Sequence, residues 1–134
     1  MPEVLVVTDS REVLGQVRSA IEAPGTVVRW ERSGKDVLTS LQQRPADLVI
    51  VDLQIGTMGG WAIAMDIALE VGSGRLEPVP VLVLLDRRAD VFLARRTGAA
   101  GWLVKPLAPL RTQEAVRALL AGEQYHDRTL SPVA

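Results

Sequence analysis

Short apolar runs alternate along the chain with longer amphipathic stretches. Residues 4–7, 26–30, 47–51, 79–85 and 100–104 are rich in Val, Leu and Ile, and each predicts a strand. Near-continuous apolar runs of this length suit parallel strands buried on both faces. Between them the spacing becomes helical. Ser10 can cap a helix in which Val13, Leu14, Val17 and Ile21 share a face. A turn at Ala23-Pro24-Gly25 precedes the second strand. Ser33 can cap a helix carrying Val37, Leu38 and Leu41 that stops before Pro45. Helices are expected over 60–70 and 87–97. A last helix starts at Pro109, turns Val116, Leu119 and Leu120 inward, and ends at Gly122. Five strands alternating with five helices predict an α/β domain, a five-stranded parallel sheet with helices on both faces, over residues 1–122. Residues 123–134 are polar and are expected to form a short flexible tail.

The third helix is unusually apolar. Trp61, Ala64, Met65, Ala68 and Leu69 suffice as its core-facing side. Ile63 and Ile67 then fall on the flank at i, i+4, where they either widen the core stripe or form a partner-docking patch.

Composition narrows the chemistry. With 134 residues, one domain with a substantial core is expected. The absence of cysteine excludes disulfides, thiolate metal sites and cysteine nucleophiles. The single histidine, His126, lies in the polar tail, and no Gly-x-Ser-x-Gly elbow is present, so the chain is not expected to be an enzyme. A net charge of −1 offers no electrostatic case for direct DNA binding. Neither a membrane-spanning run nor a signal peptide is visible, so a cytoplasmic protein without membrane insertion is expected.

The candidate chemistry lies where strands end. Asp52 closes the run Leu48-Val49-Ile50-Val51, Asp9 follows Val4-Leu5-Val6-Val7, and Lys105 follows Trp102-Leu103-Val104. Open α/β sheets place their ligand sites at this carboxyl edge. Two acids and a lysine there could bind a metal or a phosphoryl group.

These residues, with the loop Asp52-Leu53-Gln54-Ile55-Gly56-Thr57-Met58-Gly59-Gly60, Pro80, and Gly98-Ala99-Ala100-Gly101-Trp102-Leu103-Val104-Lys105-Pro106-Leu107, come in an order and spacing that carry a family signature. Residues 3 to 121 resemble the receiver domain of bacterial two-component response regulators, which has a flavodoxin-like fold. The resemblance implies that Asp52 accepts a phosphoryl group and that Lys105 contacts its oxygens. It also implies that Asp9, Asp52 and the backbone carbonyl of Gln54 hold Mg²⁺. Hard oxygen donors suit that ion, and the lysine adds a point charge. The peptide before Pro106 is typically cis in the family.

Three departures temper the resemblance. Thr8 stands where receivers usually carry a second acid, so Mg²⁺ is expected to bind weakly, with Thr8 a weak or water-mediated ligand. Leu85, followed by Asp86, stands where a Ser or Thr and a small residue usually read out phosphorylation. Gly56 and Gly59 replace a proline and an aspartate, so the loop after Asp52 is expected to be more mobile than usual. Trp102 occupies the aromatic switch position, with its orientation open.

Two functions follow as expectations. The first is an atypical single-domain response regulator in a phosphorelay. It would be modified on Asp52 by a histidine kinase or phosphotransfer protein and would act on a protein partner through the fourth helix, fifth strand and fifth helix. The alternative is a pseudo-receiver interaction module, or an accessory subunit of a larger assembly, independent of phosphorylation.

Overall fold

The computed structural model describes residues 1–22, 25–55 and 59–128. The sheet order is β2-β1-β3-β4-β5-β6, with every pairing parallel. The strands are β1 (Glu3–Val7), β2 (Val27–Glu31), β3 (Leu48–Asp52), β4 (Val81–Leu85), β5 (Gly101–Val104) and β6 (Tyr125–His126). The helices are α1 (Arg11–Ile21), α2 (Val37–Gln43), α3 (Gly60–Gly72), α4 (Val91–Arg96) and α5 (Pro109–Leu120).

Period-two alternation splits the strand residues between two cores. Val4, Val6, Leu48, Ile50, Leu82, Leu84 and Leu103 pack against α1 and α5. Leu5, Val7, Val49, Val51, Val83, Leu85 and Trp102 pack against α2, α3 and α4. The α1 reading holds in detail: Ser10 Oγ accepts from the Val13 N–H at 3.1 Å, and Val13, Leu14, Val17 and Ile21 are buried. Pro109 occupies the first turn of α5, where its missing N–H costs nothing.

Several expectations are corrected. Ser33 precedes a 3-10 turn (Gly34–Asp36), not an α-helix, and its side chain makes no capping bond. The fourth helical segment likewise opens as a 3-10 turn (Arg88–Asp90) before α4. Leu120 is exposed, not inward. On α3 the buried face is turned from the one expected, and Ala64 alone of the expected core side is fully buried. Ile63, Ala64 and Ile67 are the buried face, while Trp61 is 42% exposed and Leu69 63% exposed. Ile63 and Ile67 are core residues at 2% and 1% exposure, so of their two readings the core stripe holds and the docking patch does not.

The sheet also has a sixth strand where a loose tail was expected. Tyr125 and His126 pair with Gly101 and Trp102. Their ladder is closed by the Tyr125 N–H to Ala100 O at 3.1 Å and the Asp127 N–H to Trp102 O at 3.2 Å. The mobility expected of the loop after Asp52 falls largely on residues 56–58, outside the described residues.

Candidate functional site

The parallel strands end together and set Thr8, Asp52, Leu85 and Lys105 along one edge. Backbone bonds continue the ladder past each strand end: Thr8 N–H to Glu31 O at 3.1 Å, Leu53 N–H to Leu84 O at 3.0 Å and Lys105 N–H to Leu85 O at 2.8 Å. Asp52 is 2% exposed, and both its carboxylate oxygens are engaged. Oδ1 accepts from Lys105 Nζ at 2.8 Å and from the Gln54 N–H at 3.1 Å. Oδ2 accepts from the Thr8 hydroxyl at 2.8 Å. A buried carboxylate is tolerable only with such partners.

Lys105 is shared. Its Nζ lies 2.8 Å from Asp86 Oδ1 as well as 2.8 Å from Asp52. Burial pulls the ammonium down. The hydrogen bonds to Asp52 and Asp86, with the charges behind them, outweigh that and hold it above the ordinary lysine value. The Lys105-Pro106 peptide is cis.

The structure thus brings Asp52, Lys105 and Thr8 into direct contact. Asp9 follows Thr8 at the same edge and is exposed to solvent. Among the described residues no three His, Cys, Asp or Glu side chains gather into a group that could hold a metal ion. The donor types fit a hard cation all the same: a carboxylate at Asp52, another at Asp9, and a backbone carbonyl at Gln54. The fit is thin, because Thr8 supplies no second charge beside Asp9 and its hydroxyl is already committed. That hydroxyl donates to Asp52 and accepts the Ser10 N–H at 3.1 Å.

Sequence reasoning placed Asp86 near the site but missed its role as the second partner of Lys105. It missed Asp127 altogether. That side chain is 3% exposed, and its Oδ2 accepts the Val104 N–H at 2.9 Å, one residue before Lys105. Only the brief Tyr-His-Asp alternation in a polar stretch hinted at it.

Two glycines shape the rim. Gly59 has φ +79°, a conformation that an aspartate there would adopt only under strain. A Cβ on Gly60 would sit 2.1 Å from the Asp52 carbonyl oxygen, so α3 can start this close to β3 only with glycine.

Trp102 points inward at 3% exposure. The His126 ring stacks on it, with centroids 4.1 Å apart and planes 6° from parallel. The Arg95 guanidinium lies 5.4 Å from its ring centroid. Its indole Nε1 is buried without a hydrogen-bond partner among the described residues.

A parallel doubly wound sheet with a buried acid and a lysine meeting at its carboxyl edge defines a receiver-type α/β signalling module. The model of the response regulator receiver domain matches residues 4–117, and the chain belongs to that family. It is 30% identical, over 98% of its length, to the two-component response regulator PprB of Pseudomonas aeruginosa, of which it spans 47%. It is 25% identical to Protein PilH of the same organism over 91% of its own length, and this match spans all of PilH. The chain therefore covers about half of one relative and the whole of another. Among solved structures it resembles the chemotaxis response regulator CheY4 of Vibrio cholerae, with TM-score 0.76 and 26% identity over 89% of this chain and 98% of that one. The resemblance to the receiver family is thereby borne out. Among the described residues no helix is long and apolar enough to cross a membrane.

Proposed function

We propose that the chain is an atypical receiver module of a two-component phosphorelay, with Asp52 as its phosphoacceptor. The observation that carries this reading is the direct 2.8 Å contact of Lys105 Nζ with Asp52 at the carboxyl edge of the sheet. In the reaction an Asp52 oxygen attacks the phosphorus of a phosphohistidine on a histidine kinase or phosphotransfer protein. A P–O bond forms, the P–N bond breaks, and the imidazole leaves. Oδ2 is the oxygen with the weaker claim on it, since only the neutral Thr8 hydroxyl bonds it. Lys105 remains on Oδ1 and is placed to contact the transferred oxygens as a point charge. Asp9, Asp52 and the Gln54 carbonyl are the residues that would hold Mg²⁺, weakly, with Thr8 reaching it only through water. The ion would neutralise charge on the transferred group.

Output is read as contact with a protein partner through α4, β5 and α5. The usual hydroxyl read-out is absent. Leu85 is fully buried and cannot donate a hydrogen bond to a phosphoryl oxygen, while Asp86 competes for Lys105. A modest response to phosphorylation is the consequence.

The test is intact-protein mass after incubation with acetyl phosphate and Mg²⁺. A phosphoryl adduct on the parent that is missing from Asp52→Asn is expected. An unmodified parent, under conditions that label an ordinary receiver, would transfer the chain to the phosphorylation-independent class of interaction module.

A further inference from the structure

Arginines cluster on and around α4. Arg87 and Arg88 enter α4, Arg95 and Arg96 end it, and Arg128 follows β6 beside them. All five are exposed. The whole chain carries a net charge of −1, so this is a local segregation of positive charge. Three acids lie in the same region: Asp86 is exposed and pairs with Lys105 at 2.8 Å, while the other two are buried and engaged. Asp90 pairs with Arg87 at 3.1 Å, and Asp127 accepts the Val104 N–H with Arg111 at 3.9 Å.

Between the arginines the floor is apolar. Phe92 is 56% exposed and Val91 half-buried. A hollow of about 280 Å³ is lined by Arg88, Val91, Phe92 and Arg95. A second, of about 390 Å³, shares Arg88, Val91 and Arg95 and continues to Trp102 and His126. The two make one groove across α4 to β6. Its charged walls are held in place: Arg88 donates to the Asp127 carbonyl at 3.3 Å, and Arg95 lies over the Trp102 ring. A guanidinium fixed in this way loses less freedom on binding a carboxylate than a free one.

We propose that this groove docks an acidic segment of a partner protein, with an apolar side chain seated on Val91 beside Phe92 and flanking carboxylates on Arg88 and Arg95. The inference deepens the reading of α4, β5 and α5 as the partner-facing side by naming the chemistry of the partner. The apolar floor favours a peptide over a nucleic acid, whose phosphates would use the arginines and leave Phe92 and Val91 without a counterpart.

The probe is a short fluorescein-labelled peptide with a Leu-Phe pair between blocks of Glu and Asp, titrated by anisotropy at low salt. Saturable binding is expected, weakened by about tenfold or more in the double variant Arg88→Glu/Arg95→Glu and weakened also in Phe92→Ser. The double variant Arg11→Glu/Arg18→Glu on α1 should bind as the parent does. Near-parental circular dichroism and melting of the variants secure the comparison, and Phe92→Ser, which alters only an exposed side chain, stands in if the charge-reversed chain misfolds. The proposal is overturned by the absence of saturable binding, by an equal loss in the α1 variant, or by equal affinity for a peptide with Ser-Ser in place of Leu-Phe. Equal affinity for an oligothymidylate of matching charge would mark a general polyanion surface and overturn it too. Peptide binding without any phosphoryl adduct would leave the docking groove standing and remove Asp52 as acceptor, and the opposite pattern would do the reverse.

Discussion

Asp52 is gripped from two sides by groups of different strength. Lys105 brings a full charge to Oδ1, and Thr8 brings a neutral hydroxyl to Oδ2. An acid in place of Thr8 would repel Asp52 and invite a cation between them. The hydroxyl instead gives Oδ2 a hydrogen-bond donor from within the protein. Asp86 then matters as the second anchor of Lys105. The Lys105 value is raised above the ordinary 10.5 on folding. The stability it contributes is therefore fully present below about pH 10.5 and is lost as pH climbs through the higher folded value. Denaturant unfolding of the parent and of Lys105→Met should show a constant difference in stability between about pH 8 and 10, narrowing above that range. A difference that widens with alkaline pH would contradict the pairing.

At the scale of elements, α3 shows where a sequence pattern carries too little information. Its residues are apolar nearly all round, so two stripes compete for the core, and periodicity alone cannot choose between them. The choice is made by the close approach of Gly60 to Asp52, which fixes the rotation of the helix on the sheet and drives Ile63 and Ile67 inward. In α1, by contrast, polar residues separate a single stripe, and Val13, Leu14, Val17 and Ile21 were legible at once. The pairing of Asp52 with Lys105 was legible for a similar reason, because each of the two follows an unbroken apolar run, whereas the contact of Thr8 with Asp52 was not. Nor was the pairing of Asp86 with Lys105, since it depends on the path of the chain leaving β4. Ile67→Ala should lower unfolding free energy by about 2–5 kcal/mol through loss of buried volume. Leu69→Ala, on the exposed stripe, should stay within about 0.5 kcal/mol. Urea titration of the two variants distinguishes the stripes, and the reverse ranking would restore the original assignment.

At the scale of the molecule, β6 ties the end of the described chain to the functional edge. Two pairing residues are far below the usual strand length, so local propensity could not announce it. Tertiary contacts make it: the His126 ring on Trp102, Tyr125 against the α1 and α5 side, and Asp127 on the Val104 N–H. That amide belongs to the residue before Lys105, so the strap and the Asp52 site share β5. Gly101 is what allows the approach. A Cβ there would lie 2.5 Å from the Tyr125 carbonyl oxygen and 3.1 Å from Leu119 Cδ1, and the first of these is backbone that cannot rotate away. Gly101→Ala should therefore lift β6 while leaving the rest of the sheet paired. The amides of Tyr125, Asp127 and Val104 depend on this strand for their acceptors, as donors to Ala100 O, Trp102 O and Asp127 Oδ2 respectively. In hydrogen exchange these three should accelerate towards the rates of open loops, while the central β1 and β3 amides keep their protection. Trp102, 3% exposed under its histidine lid, should become accessible to acrylamide in the same variant. Unchanged protection at all three amides would mean that β6 tolerates the added carbon, and that the strap is held by something other than the close backbone contact at Gly101.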